Sequence, residues 1–171
     1  MGNKIYPIGI QSFEKIRKDG YFYIDKTALV YQLAKTGCYY FLNRPRRFGK
    51  SLLISTLEAY FQGKQELFEG LAIDKLEKDW IKYPILHLDL NIGKYDAPES
   101  LNQILNDHLT HWEELYGSRP SEVSLALRFA GIIQRACEQT GQRTVILVDE
   151  YDKPMSVSYT HLRAHETRGN L

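Results

Sequence analysis

Gly49, Lys50 and Ser51 stand where an apolar, aromatic run gives way to a helix-forming one. Residues 39–42, Tyr-Tyr-Phe-Leu, have the composition of a buried strand. Pro45 stops strand pairing within the break at 43–48. Beyond it, Leu52, Leu53, Ile54, Leu57, Tyr60 and Phe61 give the wide apolar stripe of a helix that Gly63 closes. Strand, turn, Gly-Lys-Ser and helix is the layout of a phosphate-binding loop. Free N–H groups and the positive end of the dipole at the helix start favour an anion. Gly49 lets the backbone come close, Lys50 reaches the β- and γ-phosphates, and the Ser51 hydroxyl holds Mg²⁺. The usual spacing, G-x-x-x-x-G-K-[ST], asks for glycine at position 44, which here is Arg44. Gly-Lys-Ser alone also fits an ordinary helix start with Ser51 in its first turn.

A second element supports the phosphate reading. Thr144-Val145-Ile146-Leu147-Val148-Asp149-Glu150 is a β-branched apolar run ending in two carboxylates. Its composition predicts a central parallel strand with acids at its C-terminal tip, where ligands sit in open α/β sheets. Asp149 there can hold Mg²⁺ through water, and Glu150 can polarise the attacking water.

Three motifs in order carry a family resemblance. They are Phe22-Tyr23-Ile24-Asp25-Lys26-Thr27, Arg44-Pro45-Arg46-Arg47-Phe48-Gly49-Lys50-Ser51-Leu52 and Val148-Asp149-Glu150-Tyr151-Asp152-Lys153-Pro154. Together, over about residues 5–155, the chain resembles the predicted AAA-ATPase-like domain of bacterial proteins. In that family Pro-x-Arg-x-Gly-Lys-Ser replaces the glycine-rich loop, so Arg44 fits the pattern. The resemblance implies an ATP site formed by Arg46, Arg47, Phe48, Gly49, Lys50, Ser51 and Leu52. It also implies Mg²⁺ on Ser51 and Asp149, with Glu150 as the catalytic group. Arg46 or Arg47 would add charge near the γ-phosphate, unless both are solvated surface arginines. The segment from Phe22 would border the adenine base or serve as a packed lead-in. Full-length members usually carry a C-terminal domain similar to PD-(D/E)XK nucleases, which this chain lacks.

The supporting elements follow from caps and periodicity. Ser12 is placed to cap a short helix ending at Gly20, and Asp25 one running to Lys35. Short helical segments are predicted at 65–73 and 74–81, a strand at 83–90, and long helices at 98–116 and 121–139. Asp89 either nears a phosphate or metal site or begins the polar turn 91–96. His108 and His111 lie one turn apart, too few for a metal site, and are read as surface or packing groups. Strands alternating with helices imply an α/β fold. The expectation is a P-loop NTPase three-layer sandwich with a parallel sheet, C-terminally incomplete because no further strand follows the acidic one.

At 171 residues the chain suffices for one domain with a real core. Its formal charge of +1 gives no bulk grip on nucleic acid. No apolar run is long enough to span a membrane, and no signal-peptide pattern opens the chain. Cys38 and Cys137 have no metal or redox spacing and are read as reduced thiols of a cytoplasmic protein.

Residues 156–171 break the pattern. Val157-Ser158-Tyr159-Thr160-His161-Leu162-Arg163-Ala164-His165-Glu166-Thr167 resembles one reading frame of a transposase adapter used in shotgun DNA library preparation. The stretch is read as a non-native tail, leaving 1–155 as the N-terminal part of the P-loop domain. The functional expectation is Mg²⁺-dependent ATP binding and hydrolysis. The alternative is a nucleotide-dependent switch, with little turnover, that regulates the nuclease-like domain. A nuclease using Asp149, Glu150 and Asp152 ranks low, because Tyr151 stands where that motif needs an acid two residues before Lys153.

Overall fold

The computed structural model describes residues 5–43, 48–92, 95 and 99–153. The readings placed on Arg46, Arg47 and 156–171 lie outside these residues. The chain divides into two compact units, residues 1–85 and 86–171.

In the first unit, α1 (Phe13–Lys18) starts at Ser12, whose hydroxyl accepts the Lys15 N–H at 3.2 Å. Helix α2 (Thr27–Thr36) starts beside Asp25. Asp25 Oδ1 accepts from the Thr27 N–H at 2.8 Å and the Thr27 hydroxyl at 2.7 Å. Its Oδ2 accepts from the Ala72 N–H at 2.7 Å. Thr27, wholly buried, then accepts from the Ile73 N–H at 3.1 Å. The Asp-Lys-Thr motif is therefore a clasp joining α2 to α4 (Ala72–Leu76).

Helix α3 (Lys50–Phe61) follows, then a 3₁₀ turn, Gln65–Phe68. Phe13, Val30, Ala59, Tyr60, Leu67, Phe68, Leu71 and Ile73 form the core of this unit. Phe13 and Phe68 stack with ring centroids 4.8 Å apart. Both side chains are fully enclosed, so truncating either to alanine costs about 3–5 kcal/mol.

Two expectations fail here. Residues 39–42 form no strand: Tyr39 is 96% exposed and Phe41 73%. Their composition suits a strand, but a strand needs a neighbour to take its N–H and C=O groups, and the described strands pair only with each other. The helix expected over 74–81 stops at Leu76. Glu77 Oε1 captures the N–H groups of Lys78 and Asp79, at 2.9 and 3.0 Å. That side-chain acceptor draws the backbone away from helix, and Trp80 turns left-handed at φ 44°.

The second unit is a small parallel sheet covered by a helical pair. Strands β1 (Ile85–Asp89) and β2 (Val145–Asp149) lie side by side. Between them in sequence are α5 (Ser100–Tyr116) and α6 (Leu125–Thr140). Ser124 caps α6 through the Leu127 N–H, and Gly117 and Gly141 follow the two helix ends, as their spacing implies. Leu86, Leu109, Trp112 and Ile132 form the main core. Arg128 binds the Glu113 carboxylate in a fork, at 2.8 and 2.7 Å. Arg135 pairs likewise with Glu122 beside Gly131, where a Cβ would collide with the Glu122 carboxylate. The fold is thus α/β with a two-stranded parallel sheet. No helix among the described residues is long and apolar enough to cross a membrane.

Glu77 generates a pH prediction. It is 4% exposed, with Oε2 shared by the Tyr60 hydroxyl and Lys35 Nζ, the latter at 2.9 Å. Burial opposes its charge, but the bonds from Tyr60, the Asp79 N–H, Lys35 and the Lys78 N–H prevail and hold its pKa down at about 2. The folded value lies below the unfolded 4.5. The stabilisation is therefore complete above pH 4.5 and lost as pH falls towards 2, on the order of 2–3 kcal/mol. Urea unfolding at pH 7 and pH 3 should show a loss about 2 kcal/mol larger in the native chain than in Glu77→Gln, in which the other lowered carboxylates still titrate. Equal slopes with pH would remove Glu77 as the source.

Candidate functional site

Of the residues expected to form a phosphate loop, those described are Phe48 to Leu52. Gly49 precedes α3 in the left-handed region, φ 75° and ψ 24°, and its C=O accepts from the Leu53 N–H at 3.0 Å. That conformation costs a side-chain-bearing residue about 1–2 kcal/mol, so glycine is needed at this joint. Gly49, the N-cap of α3, brings no side-chain cap of its own. Its first-turn N–H groups lack intrahelical acceptors by geometry, so this end suits an anion. Lys50 and Ser51, both half-buried, form its first two positions. Leu52 turns its side chain onto the core, so its contribution to a bound anion is restricted to its N–H. Phe48 is 63% exposed. The far half of the helix is locked: Thr56, Ala59 and Tyr60 are buried, and Ser55 Oγ accepts the Phe13 N–H at 2.9 Å.

The acidic pair lies in the second unit, at the end of β2. Asp149 closes the strand and its Oδ1 accepts the Glu150 N–H at 2.9 Å. No described residue occupies Oδ2. Glu150 sits at φ 53°, left-handed for a residue that is not glycine. Asp89 ends β1 and its Oδ1 accepts the Asn91 N–H at 2.8 Å, so it starts the polar turn. Lys153 Nζ reaches Asn91 at both its C=O, 2.9 Å, and its Oδ1, 2.6 Å. Nothing in the local pattern singles out Asn91, because its partner lies 62 residues away.

Among the described residues no group of three or more His, Cys, Asp or Glu side chains could hold a metal ion. Magnesium bound with a nucleotide needs few protein oxygens, since phosphates and waters complete its shell. Within the second unit, the Asp149 carboxylate, with Oδ2 open, offers one such oxygen. His108 stacks on Trp112 at 5.5 Å and His111 faces Glu114 at 3.7 Å, consistent with packing and surface roles. Both line a shallow cavity of about 430 Å³ with Ile92, Gln103, Ile104 and Asp107, and no expected site residue borders it.

Gly49 yields a test of the loop geometry. A Cβ there would meet nothing within 4 Å, so only its dihedral resists substitution. Gly49→Ala should cost about 1 kcal/mol, Gly49→Asn less and Gly49→Val more, by urea denaturation. Equal stability of all three would mean the joint is not held left-handed.

The family model described as "Predicted AAA-ATPase" matches residues 7–170. A protein of Azotobacter chroococcum mcd 1, described as an uncharacterized protein in the vnfD 5′ region, is 40% identical over 174 aligned residues. The alignment takes in 100% of this chain and 34% of that relative, so the chain spans about a third of its length. No solved structure matches. With the family model matching nearly its whole length, the chain belongs to the predicted AAA-ATPase family.

Proposed function

We propose that the chain is an ATP-binding P-loop domain that hydrolyses ATP with Mg²⁺. The observation that carries this is the N-terminus of α3, opened by a left-handed Gly49 and followed by Lys50 and Ser51, in a member of a predicted ATPase family. Lys50 supplies a point charge to the β- and γ-phosphates. The N–H groups of 49–52 donate to the phosphate oxygens, with Arg46 and Arg47 adding charge. The Ser51 hydroxyl and Asp149 would hold Mg²⁺, which when bound offsets the charge developing on the phosphates. Glu150 orients water and accepts its proton. The parallel pair of strands would belong to a three-layer sandwich in the intact protein. A second reading has the same site acting as a switch with little turnover, regulating a C-terminal nuclease-like domain. The 34% coverage of the relative supports it, because that protein has ample length for another domain.

Lys50→Ala should abolish binding of labelled ATP without altering the fold; equal affinity would remove the phosphate-loop reading. Glu150→Gln should bind ATP but hydrolyse it at least about a hundredfold more slowly, since Gln keeps size but cannot act as a base. Asp149→Asn should weaken binding only when Mg²⁺ is present. Wild-type turnover slower than about one per hour would favour the switch, given that comparable ATPases act far faster.

We also propose that 156–171 add nothing to the stability of the domain, because their apolar residues follow no helix or strand period. Deleting them should leave the melting midpoint unchanged. The family match runs through most of this stretch, and a clear drop in midpoint would make it part of the domain.

A further inference from the structure

The turn after β2 holds two unfavourable features. Glu150 is left-handed at φ 53° without being glycine. Oδ1 of Asp152 is buried with no hydrogen-bond partner among the described residues. Such features persist where the surroundings over-determine them, and they concentrate at working sites.

The contacts that over-determine this turn come from both strands. On its own side, Asp149 Oδ1 holds the Glu150 N–H at 2.9 Å, and the Lys153 N–H donates to the Glu150 C=O at 2.9 Å. Glu150 is thus bonded through both its main-chain groups. Lys153 then carries the constraint across to the other strand. Its ammonium donates to Asn91 O and Asn91 Oδ1. Asn91 is no loose acceptor, since its N–H is held by Asp89 Oδ1 at 2.8 Å. The neighbouring Leu90 N–H donates to Asp149 O at 3.1 Å. The ends of β1 and β2 are therefore tied twice, once by the ladder and once by the lysine, with Glu150 between the ties.

We infer that Lys153 is a positioning residue: by clasping Asn91 it fixes the left-handed turn that aims the Glu150 carboxylate. The inference rests on the reading of Glu150 as the group that orients water. Two of the three ammonium donors are engaged by Asn91, which makes the side chain an anchor. Losing it frees the turn to relax towards an ordinary conformation. Glu150 then keeps its chemistry and loses its aim, which is a loss in kcat and not in nucleotide affinity.

The test compares Lys153→Met, Lys153→Arg, Asn91→Ala, Glu150→Gln and the double variant Lys153→Met/Glu150→Gln in the full chain. Steady-state ATP hydrolysis, Kd for labelled Mg²⁺-ATP and melting midpoint are measured for each. Lys153→Met should lower kcat by about tenfold to a hundredfold, the scale of a misplaced catalytic group. Its Kd should stay within about twofold of wild type, because it removes no group assigned to the nucleotide. Lys153→Arg should restore most of the kcat, as its donors reach the same two oxygens. Asn91→Ala keeps the main-chain acceptor and the fold, and should show a smaller loss in the same direction. The double variant should be no slower than Glu150→Gln alone, since Lys153 acts only through Glu150.

An unchanged kcat in both Lys153→Met and Asn91→Ala would overturn the inference. So would a loss of ATP affinity with kcat preserved, or a double variant slower than Glu150→Gln. Wild-type turnover in Glu150→Gln, or none in the unsubstituted chain, would instead remove the reading of Glu150 itself. Those failures show without any Lys153 variant, so the two ideas fall separately.

Discussion

The hydrogen bond from Tyr60 to the buried Glu77 carboxylate is the contact on which the first unit depends. Tyr60 lies near the end of α3, so this bond and the Phe13, Phe68 and Trp80 rings around it hold the helix by its far half. Lys35 brings α2 to the same carboxylate, and the N–H groups of Lys78 and Asp79 complete its bonding. A buried charge is tolerable only when its oxygens are fully engaged. The first-turn N–H groups of α3, which lack intrahelical acceptors by geometry, thus lie on a helix that the core keeps fixed.

The same division recurs in the second unit. Leu86, Ile132 and Trp112 secure the sheet against the helical pair, while the strand tips carry Asp89, Asp149 and Glu150. The ion pairs Arg128–Glu113 and Arg135–Glu122 lock α6 to α5 and its connecting segment. Their role is orientation, because each arginine fork fits one placement of its carboxylate. In both units, burial rigidifies one end of an element and leaves the polar residues at the other.

Local chemistry was legible in the sequence wherever it decides the structure. Ser12 caps as its position predicts, Gly117 and Gly141 end their helices, and the strands at 85–89 and 145–149 fall inside the expected runs. The family was legible from the motifs around Lys50 and Asp149. What failed depended on distant partners. Residues 39–42 look like a strand but find no described neighbour. Glu77 ends α4 early by taking backbone donors with its own side chain, which apolar periodicity does not reveal. Asp25 reads as a local cap, yet it also serves α4 far along the chain. The Lys153–Asn91 clasp has no sequence signal because its residues are far apart.

That separation sets the order in which the second unit assembles. The contacts between α5 and α6 are short-range and cost little loop-closure entropy, so they form early. Leu90 and Asp149, or Asn91 and Lys153, must close a span that encloses both helices, 62 residues in the latter case. The acidic turn is consequently the last piece of the unit to take its shape during folding. It is also the first to let go when the sheet frays, so its amides should exchange with solvent well before those of α6. A chain synthesised only as far as the end of α6 would carry a finished helical pair and no acidic turn.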